Sequence, residues 1–94
     1  MATGITLVSN ASATGAWVAW PGGRGEFRAE GTFPGTVKLE CKGPNGTAQD
    51  VGVDTTLTAS GGGIFELGAG EIRCSIATAT AVYAVALRIP SPSF

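Results

Sequence analysis

The chain has no histidine. That absence removes the usual general base near neutral pH, the commonest nitrogen ligand for zinc and copper, and every serine–histidine or cysteine–histidine nucleophile pair. Charge is also scarce: 14% of the 94 residues are Asp, Glu, Lys or Arg, against about 25% in ordinary domains. The net charge is −1, and no basic cluster exceeds an isolated pair such as Arg24 and Arg28. A phosphate backbone finds no electrostatic footprint here, so no nucleic-acid partner is expected. No apolar run approaches the roughly 20 residues that a membrane helix needs, and no membrane partner is expected. The first 20 residues hold no Lys or Arg and are interrupted by Gly4, Asn10, Ser12 and Gly15. They lack the basic and apolar regions of a secretory signal, so the chain is expected to be made in the cytoplasm and to be soluble.

That compartment bears on the two cysteines and on two Asn-x-Ser/Thr matches. Cys41 and Cys74 lie on the apolar sides of Val37-Leu39-Cys41 and Ile72-Cys74-Ile76, where a reduced thiol behaves as a small hydrophobe. Asn10-Ala11-Ser12 and Asn45-Gly46-Thr47 are expected to carry no glycan. With no C-x-x-C pair the chain offers neither a redox motif nor a structural zinc site. Asp50 and Asp54 point the same way on an extended strand but about 13 Å apart, too far to share a calcium without a turn at Gly52. Glu66 and Glu71 flank a loop, but an acid/base pair also requires a cleft that a domain of this size hardly encloses. Gly61-Gly62-Gly63 has no lysine behind it and opens no helix, so it reads as a flexible hairpin tip rather than a phosphate loop. No catalytic residue, metal ligand or cofactor site is expected, and an enzyme is not.

What is present is alternation. In the stretch from Gly31 to Asp54, Val37, Leu39 and Cys41 fall on one side of a period-2 pattern and Thr36, Lys38, Glu40 and Lys42 on the other. This is a strand with one face on a core and one in water. Pro44-Asn45-Gly46 supplies the turn, and the run Thr47 to Val53 returns antiparallel. Similar runs cover Ile5 to Val8, Trp17 to Trp20, Gly25 to Phe33, Asp54 to Ala59, Ile64 to Leu67, Ile72 to Ile76 and Val82 to Ile89, with Gly, Pro or Asn breaks between most of them. Trp17 and Trp20 are three apart and so point to opposite faces, which leaves at most one for the core unless a bulge at Gly15 or a wrap at the strand end buries both. In the last run, Tyr83, Val85, Leu87 and Ile89 share one face, while Val82, Ala84 and Ala86 make the other face apolar too, as in a central strand or one contacted on both sides.

About eight short antiparallel strands with no helical period give an all-β chain, a single small β-sandwich of jelly-roll type, with an immunoglobulin-like sandwich as the alternative. Residues 1–12 are expected to form an N-terminal arm or edge strand, 13–89 the sandwich, and 90–94, with two prolines, a stiff C-terminal tail. The chain is 44% hydrophobic and too small to hide all of that surface. Some of it is expected to be covered by another chain, in a homo-oligomer or assembly.

Taken together, Gly31-Thr32-Phe33, Thr36 to Cys41, the turn Gly43 to Thr47, Thr56 to Ala59, Phe65-Glu66-Leu67-x-x-Gly70 and Val82-Tyr83-Ala84 resemble small β-sandwich proteins among the virion structural proteins of tailed bacteriophages. Capsid decoration, or cement, proteins resemble the chain most, over roughly residues 25–90. The resemblance implies a subunit made in the host bacterial cytoplasm that binds the major capsid protein on the outer surface of the head, as a homotrimer, and stabilises the shell. Under it, capsid contact is expected from Ile5, Leu7 and one of Trp17 or Trp20, and self-association from Val82, Ala84, Ala86 and Phe94. Two further functions remain open: a receptor- or glycan-binding module of a tail fibre or head spike, with Trp20 near Arg24 as its candidate platform, and a component of another virion part.

Overall fold

The turn chemistry of Gly43 to Gly46 closes the central hairpin. Gly46 N–H donates to the Gly43 carbonyl at 2.9 Å and Gly43 N–H to Thr47 at 2.7 Å. Gly46 takes φ +81° while Asn45 stays at negative φ, which is the three-residue loop that ends on a left-handed residue. The structure, a computed structural model, describes residues 4–89. Its strands are β1 (Gly4–Ala11), β2 (Val18–Trp20), β3 (Gly23–Thr32), β4 (Thr36–Lys42), β5 (Ala48–Asp50), β6 (Thr56–Leu57), β7 (Gly61–Leu67), β8 (Gly70–Ala77) and β9 (Thr80–Arg88), with one turn of 3₁₀ helix at Val53–Thr55.

These strands form two antiparallel sheets, ordered β1-β9-β3-β7 and β2-β8-β4-β5, with β6 also paired to β4. The pairs are nested: β1 with β9, β2 with β8, β3 with β7 and β4 with β5. A chain folded double and then wrapped around a core gives this order, and the result is a jelly-roll β-sandwich. β1 stands at one edge of its sheet, bonded to β9. The proline tail from Pro90, Phe94 included, lies outside the described residues.

Two segments differ from the sequence expectation. The return strand of the hairpin pairs only over Ala48–Asp50, because the other half of the same β4 edge is taken by β6, with Val37 opposite Leu57 and Lys38 opposite Thr56. Between them the chain swings out through Gly52, whose carbonyl accepts the Thr56 hydroxyl at 2.8 Å. Gly61-Gly62-Gly63 is not a loop tip; it is the first half of β7, opposite Ala29, Arg28 and Phe27. Glycine is needed there for close approach. A Cβ on Gly63 would overlap the Asp54 carbonyl, and one on Gly62 would sit 2.7 Å from the Phe27 oxygen.

The core lies between the sheets. β3 contributes Phe27 and Ala29, β9 contributes Val82, Ala84 and Ala86, and β4 and β8 bring Val37, Leu39, Ile72 and Cys74 from across the gap. In β1 the consecutive Leu7 and Val8 are both buried, which the register shift between Thr6 and Val8 allows. Trp20 packs on Phe65 with ring centroids 5.0 Å apart. Gly25 makes the room, since a Cβ there would lie 2.6 Å from Trp20 and 2.8 Å from Phe65.

Candidate functional site

Two tryptophans in one short segment take opposite roles. Trp20 is 2% exposed, and its indole N–H has no hydrogen-bond partner, an omission that costs about 1–3 kcal/mol in a buried site. Trp17 stands outside the β2-β8-β4-β5 sheet. The Arg73 guanidinium lies 4.5 Å from its ring centroid and Lys42 Nζ 5.7 Å. Both cations are also tied to carboxylates: Arg73 Nε donates to Glu40 at 2.8 Å and Lys42 Nζ to Glu71 at 3.3 Å. Lys38 completes the layer, 2.9 Å from Asp50 and 4.0 Å from Glu40. The hydrogen bond that Lys38 donates to Asp50, with the nearby carboxylate charges, holds the Lys38 pKa above its usual value against the opposing effect of desolvation. Every Lys, Arg, Asp and Glu in this layer is thus paired inside the chain, and Glu40 is buried beneath its partners.

The outer face of the β1-β9-β3-β7 sheet is built differently. Register places Glu26 beside Leu87, Arg28 beside Val85 and Glu30 beside Tyr83, and on the other flank Arg24 beside Glu66 and Glu26 beside Ile64. Opposite residues in an antiparallel pair share a face, so the charges of β3 run between the apolar row of β9 and a β7 row in which Ile64 is the apolar residue. Tyr83 is 48% exposed and Ile64 42%. The ion pair on this face is Arg28 to Glu26 at 3.4 Å. At one end a shallow groove of about 440 Å³ is lined by Arg28, Glu30, Ser60, Gly61, Tyr83 and Val85.

These positions revise several sequence expectations. Leu7 and Trp20 are in the core and Ile5 packs against it, because β1 and β2 each turn that side toward the sandwich interior. Of the four residues expected at a capsid contact, Trp17 is the one on an outer face. Val82, Ala84 and Ala86, expected at a self-contact, are almost fully buried; Ala86 lies opposite Phe27 and Ala84 opposite Ala29, so these small residues make space under the core aromatics. The outward row of β9 is Tyr83, Val85 and Leu87. Sequence alternation alone missed this row, since both sides of β9 are apolar; the signal lay in the charges of β3, which must share a face with whatever β9 places beside them. Trp20 near Arg24 offers no ring to a sugar, since the ring is inside. Asp50 is committed to Lys38, Glu66 and Glu71 sit on different sheets, and among the described residues no group of three His, Cys, Asp or Glu is placed to hold a metal. Cys41 and Cys74 are free thiols on neighbouring strands, Cys41 opposite Ile72 and Cys74 opposite Leu39. Burial, with the Glu40 charge adding to it, pushes the Cys74 thiol up to about 12.

No protein-family model matches the chain. No curated protein matches it either. Among solved structures it is similar to the crystal structure of SPBc2 prophage-derived protein YomS, with a TM-score of 0.67 over 93% of each chain at 12% identity. That likeness is one of fold: the same sandwich extends over almost the whole of both chains.

Proposed function

We propose that this protein is a virion structural protein of a tailed bacteriophage, a decoration subunit that binds the outer surface of the head and stabilises the shell. The observation that carries the proposal is the fold shared with a prophage-derived protein over 93% of both chains. The surface chemistry supports it: the sheet face around Tyr83 and Ile64 suits contact with another chain, and the Trp17 layer offers a second face. In this assignment the outward Trp17, with Lys42 and Glu71 beside it, contacts the major capsid protein. The glycan-binding alternative loses its candidate platform, because Trp20 is buried.

The test is co-sedimentation of the purified protein with expanded phage heads that lack decoration. Saturable binding, with heads that then withstand a higher temperature before releasing DNA, is the expected result. Heads that sediment without the protein at every concentration tried would remove the proposal.

A further inference from the structure

The four outward charges of β3 read Arg24, Glu26, Arg28, Glu30, alternating in sign and spaced two residues apart. Reversed, the same row reads −, +, −, +, the complement of itself. We infer that the outer face of the β1-β9-β3-β7 sheet binds a second copy of this chain through a two-fold axis that crosses β3 at Phe27. In that arrangement Glu26 meets Arg28 of the partner subunit and Arg24 meets Glu30 of the partner subunit, each contact occurring twice.

The register of the other strands fits the same axis without further choice. Phe27 lies opposite Ala86 in β9 and opposite Gly63 in β7, so the axis passes through those positions as well. On β9, Val85 then packs on the partner's Leu87, aliphatic on aliphatic. On β7, Ile64 falls over the partner's Gly62, a knob over a residue with no side chain. At the end of the face, Glu66 reaches the groove of its neighbour, where the partner's Ser60 is placed to donate its hydroxyl proton. The Ser60 oxygen already accepts the Gly31 N–H at 3.2 Å, which leaves that O–H for a carboxylate. A parallel, in-register stack would instead set every charge against its like.

A face that matches itself in this way makes an isologous contact, which requires a two-fold; the contacts of a three-fold ring are heterologous. The trimer implied by the family resemblance is therefore not formed through this face. Strand spacing and rise give the face on the order of 450 Å² per partner, at the small end of specific interfaces, so the dimer is expected to be micromolar and reversible. The apolar row of β9 and Ile64 of β7 supply affinity, while the exposed charges set register and exclude the wrong orientation.

The experiment is sedimentation velocity on the wild-type chain, up to about 1 mM, and on the exposed charge variants. Arg28→Glu and Glu26→Arg each place like charges at both central contacts and are expected to weaken the dimer at least about tenfold. An equimolar mixture of the two restores it as a heterodimer, because each now carries the complement of the other, and the double variant E26R/R28E dimerises as wild type does. A wild-type chain that stays monomeric throughout or forms a trimer, or single variants that dimerise undiminished, would overturn the inference. It goes beyond the capsid assignment and is tested separately from it: a dimer that ignores phage heads keeps this interface and loses that function, and heads decorated by monomers do the reverse.

Discussion

At Gly25 a missing side chain decides how the core closes. Trp20 and Phe65 fill the volume a Cβ would take, and both are large, buried and held by strands on opposite sheets. Neither ring has room to retreat, so Gly25→Ala is expected to destabilise the fold by about 1–3 kcal/mol, the range for overpacked cores, measured as a lower urea midpoint with unchanged slope. Cys74 makes a different residue-scale prediction. Its thiol titrates near 9.0 when unfolded and near 12 when folded, so between those values the native state holds a proton that the unfolded state has lost. Stability is therefore full below pH 9 and falls above it, by at most about 1.4 kcal/mol per pH unit. Cys74→Val, of similar size, is expected to remove the decline that starts near pH 9. The decline due to Lys38, whose pKa is also raised by the fold, starts higher and remains. Unfolding followed by near-ultraviolet circular dichroism across this range separates the two.

Among the strands, β8 and β4 hold the charged layer together through Arg73 and Glu40. Arg73→Ala leaves Glu40 buried with Lys38, 4.0 Å away, as its nearest cation, and it uncovers the Trp17 ring. The expected result is a loss of about 1–3 kcal/mol together with a red-shifted tryptophan emission, since Trp20 stays in the core and only Trp17 gains water. Alternation made most strands legible in the sequence: β4 from Val37, Leu39 and Cys41 against Lys38 and Lys42, and the hairpin from Pro44-Asn45-Gly46. Three things were not legible. The inward row of β9 depends on which neighbour each row faces, and Val82, Ala84 and Ala86 look no more like core than Tyr83, Val85 and Leu87 until Phe27 is placed over Ala86. Gly61 to Gly63 carry the local signature of a loop, and only the approach of Asp54 explains them as strand. The run Asp54 to Ala59 pairs only over Thr56–Leu57, and the 3₁₀ turn over Val53–Thr55 that shortens it has no mark in the alternation.

On the scale of the whole molecule, the two outer faces divide the work. The β2-β8-β4-β5 face satisfies its charges internally and presents Trp17; the β1-β9-β3-β7 face sets exposed apolar groups beside charges with room for outside partners. Substitutions on the two are therefore expected to separate. Trp17→Ala should lower binding to phage heads severalfold and leave the sedimentation of the isolated protein unchanged, while Arg28→Glu should change sedimentation first. A variant pair that moves both readouts together would mean that one surface serves both contacts.

The nested pairing also fixes an order of events during synthesis. Of the described strands β9 is the last to leave the ribosome, yet it belongs in the middle of its sheet, between β1 and β3. Until it emerges, β1 has no neighbour to bond and Phe27 has no Ala86 beneath it, so half of the sandwich waits for its final strand with apolar rows uncovered. Such long-range closure is slow relative to local pairing. A nascent chain arrested before Thr80 should accordingly remain sensitive to protease, and resistance should arise abruptly once Arg88 has cleared the exit tunnel.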